Sequence, residues 1–331
     1  MKMSTFNALQ ARETATGEFE QVIVQREIAE LPAGELLVRV KYSSLNYKDA
    51  LSASGNRGVT KSFPHTPGID AAGIVEASSV AEFAVGDEVI ITGYDLGMNT
   101  AGGFGQYIRI PASWALKRPQ GLSLREAMVL GTAGLTAALC VDKLEQSGLT
   151  PDAGVVLVTG ATGGVGSVAV ALLASLGYRV AASSGKAEQA DYLKSLGAEQ
   201  VVLRADLLAG TDKSMLKEQW AGAVDCVGGD ILFNVVKSLR YGASVACCGL
   251  AAGVAFKGSV LPFILRGVNL LGVDSVELPL VVKASMWDRL SLQWKVNLDA
   301  LVSEVTLEQL PAAIAQVLAG KQVGRVLVNL A

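Results

Sequence analysis

The sequence predicts an α/β protein in which a doubly wound parallel sheet is set into a domain of short β-strands. Three observations carry this. Roughly the first 125 residues are short apolar runs broken by turn residues, strand-like and helix-like runs alternate from Leu124 to about Ser275, and a glycine-spaced turn joins one such strand to its helix.

The early runs LLVRVKYSSLN, AAGIVEAS, DEVIITGY and GQYIRIP have strand character. REAMVLGTAGLTAALCVDKLEQ then has helical spacing, and Pro151 with Gly154 marks the break before the next strand. VVLVTG precedes GSVAVALLASLG, YRVAASS precedes KAEQADYLKSLG, and EQVVL precedes a polar segment. AVDCVGG precedes LFNVVKSLRYG, followed by ASVACCGL and VNLLGVDS, a rhythm that predicts a parallel sheet. From about Ser275 the rhythm stops. SMWDRLSLQWKVNL and LEQLPAAIAQVLAG have amphipathic helical spacing, and RVLVNLA closes the chain as a strand.

With 331 residues the chain can bury two cores; 50% apolar and 18% charged residues with 36 glycines suit a buried parallel sheet. A net charge of −3 gives no reason to expect nucleic acid or an anionic membrane as partner. The start, MKMSTFNALQARETA, lacks the apolar core of a signal peptide. The uncharged stretch from Ala153 to Tyr178 is interrupted by Gly160, Gly163, Gly164 and Gly166, so it reads as strand, turn and helix, not a membrane span. Cys140, Cys226, Cys247 and Cys248 show no CxxC spacing and read as buried thiols of a reducing compartment, with the cytoplasm as the expected location.

In VVLVTGATGGVGSVAVALL, Gly160, Gly163 and Gly166 are spaced G-x-x-G-x-x-G between an apolar strand and an apolar helix. Glycines there let a phosphate approach backbone N–H groups and the positive end of the helix, with Thr162, Gly164 and Val165 completing the turn. The next strand ends in Ser183-Ser184-Gly185-Lys186, without the acid that holds the ribose hydroxyls of NAD. Ser184, Gly185, Lys186 and Arg204 can accept a 2′-phosphate, which favours NADPH; solvated loop cations are the plain alternative.

The segments SSLNYKDAL, FPHTPGIDAAG, GTAGLTAALCV, TGATGGVGS, YLKSLGA, PFILRGVNLLGVDS and GRVLV resemble the medium-chain dehydrogenase/reductase superfamily. Within it the chain resembles the zinc-free acryloyl-CoA reductase group, also known as quinone oxidoreductases. The resemblance implies a GroES-like β-barrel catalytic domain at 1–125 and 273–331, a Rossmann NADPH-binding domain at 126–272, and a homodimer. It also implies that Tyr47 lies at the cofactor and that Leu250, Ile264 and Ser275 line its nicotinamide end.

Zinc-dependent members use a Cys, a His–Glu pair and a second Cys. Here Asn46, Ile69 with Asp70, and Thr132 stand at those positions, and no cysteine precedes Cys140, so no metal is expected. The single histidine, His65, lies between Pro64 and Pro67 and reads as ordinary loop.

Without a metal to lower a hydroxyl pKa, reduction of an activated double bond is the accessible chemistry, and the enolate formed needs hydrogen-bond donors. In the Asn46-Tyr47-Lys48-Asp49 turn, Asn46 or Tyr47 can donate, while Tyr47 can instead pack on the nicotinamide; Lys48 and Asp49 can pair or hold the turn. Arg57, Lys61, Arg289 and Arg325 are the cations available to CoA phosphates. The expected activity is NADPH-dependent reduction of acryloyl-CoA or a close short-chain enoyl-CoA. Quinone or enone reduction, and non-catalytic NADPH binding as sensor or scaffold, are the alternatives.

Overall fold

A computed structural model describes residues 5–297 and 299–331. They fall into two compact units. One runs through Thr132 and resumes at Val276–Ser291 and Leu301–Ala331; the other comprises Ala133–Ser275 and Leu292–Ala300.

The first unit begins with β1 (Thr5–Glu13) and β2 (Phe19–Glu27), an antiparallel pair. There follow β3 (Leu36–Leu45), α1 (Tyr47–Ala53), β4 (Asp70–Ser78), β5 (Glu88–Thr92), β6 (Tyr107–Ile110) and β7 (Ala115–Lys117). Then comes α2 (Leu124–Gln146), which holds the boundary between the units.

The second unit contributes β8 (Val155–Val158), α3 (Gly164–Ser175), β9 (Arg179–Ser184), α4 (Ala190–Ser195) and β10 (Gln200–Leu203). It continues with β11 (Gly222–Asp225), α5 (Gly229–Ser238), β12 (Ser244–Cys247), α6 (Leu261–Arg266) and β13 (Asn269–Gly272). The chain then returns to the first unit with α7 (Leu280–Ser291), β14 (Val302–Val305), α8 (Leu310–Leu318) and β15 (Arg325–Asn329).

In the first unit a seven-stranded sheet runs β14-β15-β3-β4-β5-β7, with β6 also on β3. All its pairings are antiparallel except β14 with β15. Alternating side chains of β3, Leu36, Val38 and Val40, enter a core with Ile91, Phe104, Ile108, Val326 and Val328.

The second unit carries a six-stranded parallel sheet, β10-β9-β8-β11-β12-β13. The order steps outward from β8 one way and jumps to β11 the other, so the strand ends of β8 and β11 flank the point where winding reverses. Central strands are buried throughout, as in β11, whereas β10 and β13 are exposed at both ends; this is why the middle strands read as unbroken apolar runs. Within Ala153–Tyr178 the structure has β8, the glycine turn and α3, whose Val168, Val170, Leu172 and Leu173 are buried. One helix among the described residues, α2, is long and apolar enough to cross a membrane, and its apolar stretch is buried inside the protein.

Three local expectations are corrected. The helical spacing of 124–146 hides a break at Gly131, whose φ of 53° and ψ of −156° leave the helical region. The Asn46–Asp49 segment is the N-cap and first turn of α1, since Asn46 is extended and forms a capping box with Asp49. The helix expected over 285–298 ends at Ser291.

Candidate active site

In the first unit, the positions where relatives would hold zinc form a buried hydrogen-bonded cluster. Asp70 opens β4 and accepts from Ser44 Oγ at 2.5 Å, Asn46 Nδ2 at 2.8 Å, Thr132 N at 2.9 Å and Thr132 Oγ1 at 2.5 Å. Asp49, one turn into α1, accepts from the amides of Asn46 and Ile69, both at 2.8 Å. Burial and the charge of Asp70 push the Asp49 carboxyl up to about 7, against the pull of those hydrogen bonds.

Arg325, at the start of β15, supplies the counter-charge. It is 2% exposed, donates from Nε to Val129 O at 2.9 Å, and reaches Asn46 Oδ1 at 3.3 Å. Burial lowers its guanidinium pKa, while Asp70 and Asp49 oppose that shift. A Cβ on Gly131 would lie 2.6 Å from Asp70 Oδ2 and 3.1 Å from Arg325 Nη2, so the cluster is closed to any bulk there.

These residues do not fit zinc. Ile69 offers no ligand atom, the carboxylate oxygens of Asp70 are occupied by four donors, and a guanidinium already carries positive charge into the site. Among the described residues no group of three or more His, Cys, Asp or Glu side chains is arranged to hold a metal ion.

The cluster also reassigns two candidates. Asn46 spends its side-chain N–H groups on Asp70 and, at 3.2 Å, on Asp49 Oδ2, so it positions α1 and has no donor left for a substrate oxygen. Tyr47, the next residue, is 48% exposed and is the one of the two that presents its side chain outward. Arg325 is buried and therefore unavailable to CoA phosphates. Arg57 pairs with Glu13 at 2.8 Å and donates to the Lys61 carbonyl; Lys61 is exposed and Arg289 is half-buried. Lys48 is exposed.

His65 is a buried loop residue. It bridges to Ala11, its Nε2 lies 2.9 Å from Gly97 O, and burial lowers its pKa.

In the second unit the glycine turn has the shape a phosphate requires. Gly160 takes φ 60°, which favours glycine, and the Gly163 amide donates to its carbonyl at 2.9 Å. A Cβ on Gly166 would collide with that same carbonyl. Gly163 caps α3 with no side-chain bond and no acidic residue follows in the first turn, so the helix's positive end is left for an anion. Gly164 and Val165 are half-buried beside it.

Thr162 Oγ1 and Ser184 Oγ are 3.1 Å apart, tying the turn to the end of β9. Ser184 Oγ also accepts the Lys186 amide at 3.0 Å. The guanidinium of Arg204 lies against Gly185, where a Cβ would meet its Nη2 at 2.7 Å. The Arg204 guanidinium and a hydroxyl thus lie where NAD enzymes keep an acid, with Lys186 next in the chain, its pKa lowered by partial burial. These residues fit a 2′-phosphorylated dinucleotide.

Leu250 and Ile264 are 55% and 69% exposed, which excludes core packing as their role. Ser275 is buried, its Oγ 2.7 Å from Thr136 Oγ1. Cys140 alone among the cysteines is buried outright; Cys226, Cys247 and Cys248 are half-buried, a correction to the expectation of four buried thiols.

Sequence reasoning missed Ser44, the bond from the Ile69 amide to Asp49 and the burial of Arg325, while Asp49 does hold the turn as expected. One signal was present: an arginine inside the apolar run GRVLV needs a buried partner.

Comparison with known proteins agrees with this geometry. Residues 32–120 match the family model of the alcohol dehydrogenase GroES-like domain, and 164–291 match that of the zinc-binding dehydrogenases. The acrylyl-CoA reductase AcuI of Ruegeria pomeroyi is 46% identical over 326 residues, covering 98% of this chain and 99% of its own. YhfP of Bacillus subtilis, which bears the name of a quinone oxidoreductase, is 48% identical over 331 residues, covering 99% and 100%.

Among solved structures, the yhdH oxidoreductase of Salmonella enterica in complex with NADP superposes with a TM-score of 0.95 at 43% identity, covering 98% of this chain and 100% of that one. Bacillus subtilis yhfP with NAD bound gives 0.95 at 47%, covering 99% and 100%. The chain belongs to the medium-chain dehydrogenase/reductase superfamily, as an oxidoreductase of its quinone oxidoreductase and acrylyl-CoA reductase group.

Proposed function

We propose that this protein reduces the C=C bond of acryloyl-CoA, or a close short-chain enoyl-CoA, to the saturated thioester with NADPH. The observation that carries the reading is the Asp70–Arg325 cluster. It fills the place of a metal with hydrogen-bonded side chains and a buried guanidinium, so no Lewis acid is provided for alcohol oxidation. The resemblance to AcuI over nearly the whole chain supports the thioester substrate.

NADPH supplies the hydride that reaches the β-carbon of the conjugated thioester. The chain's own residues do the rest. The Gly160–Gly166 turn and the start of α3 hold the pyrophosphate, and Ser184, Gly185, Lys186 and Arg204 hold the 2′-phosphate. Leu250, Ile264 and Ser275 border the nicotinamide end. Tyr47 either gives its hydroxyl proton to the enolate, leaving a phenolate that solvent reprotonates, or packs on the nicotinamide, while Asn46, Asp49 and Asp70 fix the helix turn that carries it.

The domain reading is GroES-like catalytic for the first unit and Rossmann for the second, and the working assembly is a homodimer in the cytoplasm. The outer edge of β13 and the exposed Val260 and Leu265 are available to a second copy.

Quinone reduction is the second reading, supported by the name of YhfP at 48% identity. An assay of NADPH consumption with acryloyl-CoA, crotonyl-CoA and a simple benzoquinone separates the two. Rapid turnover of enoyl-CoA, with deuteride from the nicotinamide found at the β-carbon of propionyl-CoA, is expected. Quinone turnover alone overturns the thioester reading, and turnover of none favours a non-catalytic NADPH-binding protein.

A further inference from the structure

Three of the four cysteines meet at the C-terminal edge of the parallel sheet. β11 and β12 pair in register, with Asp225 opposite Cys247. The Cys248 amide donates to Asp225 O at 3.0 Å, so one residue further on Cys226 and Cys248 are cross-strand neighbours. Their sulfurs are 3.9 Å apart. Cys247, next in sequence, points to the opposite face, because successive strand side chains alternate. Cys140, on α2, comes within hydrogen-bonding reach of the Cys248 sulfur.

We propose that Cys226 and Cys248 form a reversible disulfide under hydroperoxide, and that its closure weakens dinucleotide binding at the adjoining glycine turn. The second half of this inference rests on the reading of that turn as the cofactor's phosphate cradle. In its thiol form Cys248 Sγ donates to Cys226 Sγ and, at 3.4 Å, to the Asp225 carbonyl. Lying in reach of both Cys140 and Cys226 holds the Cys248 thiol below its ordinary value, whereas the contact with Cys248 and burial push Cys226 up. With two sulfur neighbours against one, Cys248 is the attacking sulfur and Cys226 the resolving one. Both are half-buried, within reach of a small oxidant, while Cys140 is sealed in the core.

In the first step the Cys248 thiolate attacks one peroxide oxygen. The O–O bond breaks, hydroxide leaves, and Cys248 becomes a sulfenic acid. Hydroxide takes the Cys226 proton as water. The Cys226 sulfur then attacks the Cys248 sulfur, the S–S bond forms and the S–O bond breaks, releasing hydroxide that is protonated to water. Two thiols and one hydrogen peroxide give one disulfide and two waters, a two-electron oxidation of the protein.

Bonding draws the sulfurs from 3.9 Å to about 2.05 Å. Cys226 cannot move alone. Its Cβ lies 3.3 Å from where a Cβ on Gly160 would stand, its amide donates to Thr159 Oγ1 at 3.1 Å, and Gly249 packs directly on its carbonyl. Thr159 in turn donates to Asp225 Oδ1 at 2.7 Å. Closure therefore pulls on the ends of both strands that flank the winding reversal, where open α/β sheets bind their ligands.

The test uses the full chain, reduced and then treated with hydrogen peroxide. Trypsin separates Cys226, in 218–237, from Cys247 and Cys248, in 241–257. A non-reducing digest is expected to join these two peptides with loss of two hydrogens, reversed by dithiothreitol. The link should persist in Cys247→Ser and vanish in Cys226→Ser and Cys248→Ser. Titration with NADPH should show a dissociation constant at least about five-fold higher for the linked protein, restored on reduction and insensitive to peroxide in Cys226→Ser. Linkage through Cys140 or Cys247, or sulfinic acid at Cys248 with no link, overturns the pair. A complete link with unchanged NADPH affinity overturns the coupling. Failure of the reduced protein to bind NADPH overturns the cofactor reading instead, and the peptide map still decides the pair.

Discussion

Thr132 gives Asp70 both of its donors: the amide to Oδ2 at 2.9 Å and the hydroxyl to Oδ1 at 2.5 Å. The two residues are 62 positions apart, and Ser44 and Asn46 add two more donors to the same carboxylate. Asp70→Ala strands these donors and leaves Arg325 without its main counter-charge. Urea unfolding should show a loss on the order of 3–5 kcal/mol, the usual cost of leaving a buried charge uncompensated. A loss under 1 kcal/mol would mean that the cluster relaxes freely.

The donor set around Asp70 argues against a catalytic metal. Purified protein should contain no stoichiometric zinc and should keep its activity in a strong chelator. One zinc per chain, removed together with activity, would refute the reading of Asn46, Ile69, Asp70 and Thr132 as non-ligands.

Asp49 makes stability depend on pH. The unfolded chain titrates it near 3.8 and the folded chain at about 7. Between those values the folded state holds a proton that the unfolded state lacks. Its stabilisation is complete below 3.8, falls as pH rises, and is gone above about 7. His65 acts with the opposite sign, since burial lowers its pKa and its contribution is lost as pH falls below 6.5. The comparison of parent with Asp49→Asn isolates the first effect: unfolding free energy should fall more steeply between pH 4.5 and 7 in the parent. Parallel profiles would exclude a raised Asp49.

Arg204 lies on Gly185, and Lys186 follows it. If both contact the 2′-phosphate, each charge-assisted bond contributes on the order of 1.5–3 kcal/mol. Arg204→Ala or Lys186→Ala should then weaken NADPH by roughly 10- to 150-fold and leave NADH nearly unchanged. Equal losses for both cofactors would assign the residues to the fold.

For Tyr47 the two roles separate cleanly. As the proton source, its replacement by Phe should lower saturated turnover by about 10²- to 10⁴-fold with little change in NADPH affinity. As a packing residue, the same change should raise the NADPH dissociation constant and leave turnover within a few-fold.

The parallel sheet was legible because its middle strands are buried on both faces and its phosphate turn needs glycine for steric reasons. The active-site cluster was legible only in part. Asn46, Asp70 and Thr132 could be picked out as replacements for ligands, but that they bond one another depends on β4 and α2 meeting. Arg325 stands 196 positions from the carbonyl it caps, and no local pattern reports such a partner. β2 escaped notice because its faces alternate weakly, with several half-buried positions in a row, and β14 because it is only four residues long with an exposed middle. The break at Gly131 was hidden for a different reason: periodicity registers side chains, and a glycine's φ leaves no trace in it.

That break has a consequence for how the chain comes together. The stretch after Gly131 begins with the Thr132 amide on a carboxylate borrowed from the start of β4, so its N-cap is supplied by a distant strand. A peptide of residues 124–146 made alone lacks this cap and carries a mid-helix glycine costing about 1 kcal/mol relative to alanine. It should fray at its centre. In the intact chain the same glycine admits Ser44, Asp70 and Arg325 to within contact of the backbone, a joint that closes only once non-local strand pairing has delivered all three. Residues 131–132 are therefore a late-setting seam of the folding reaction, and hydrogen exchange at the Thr132 amide should report global rather than local opening.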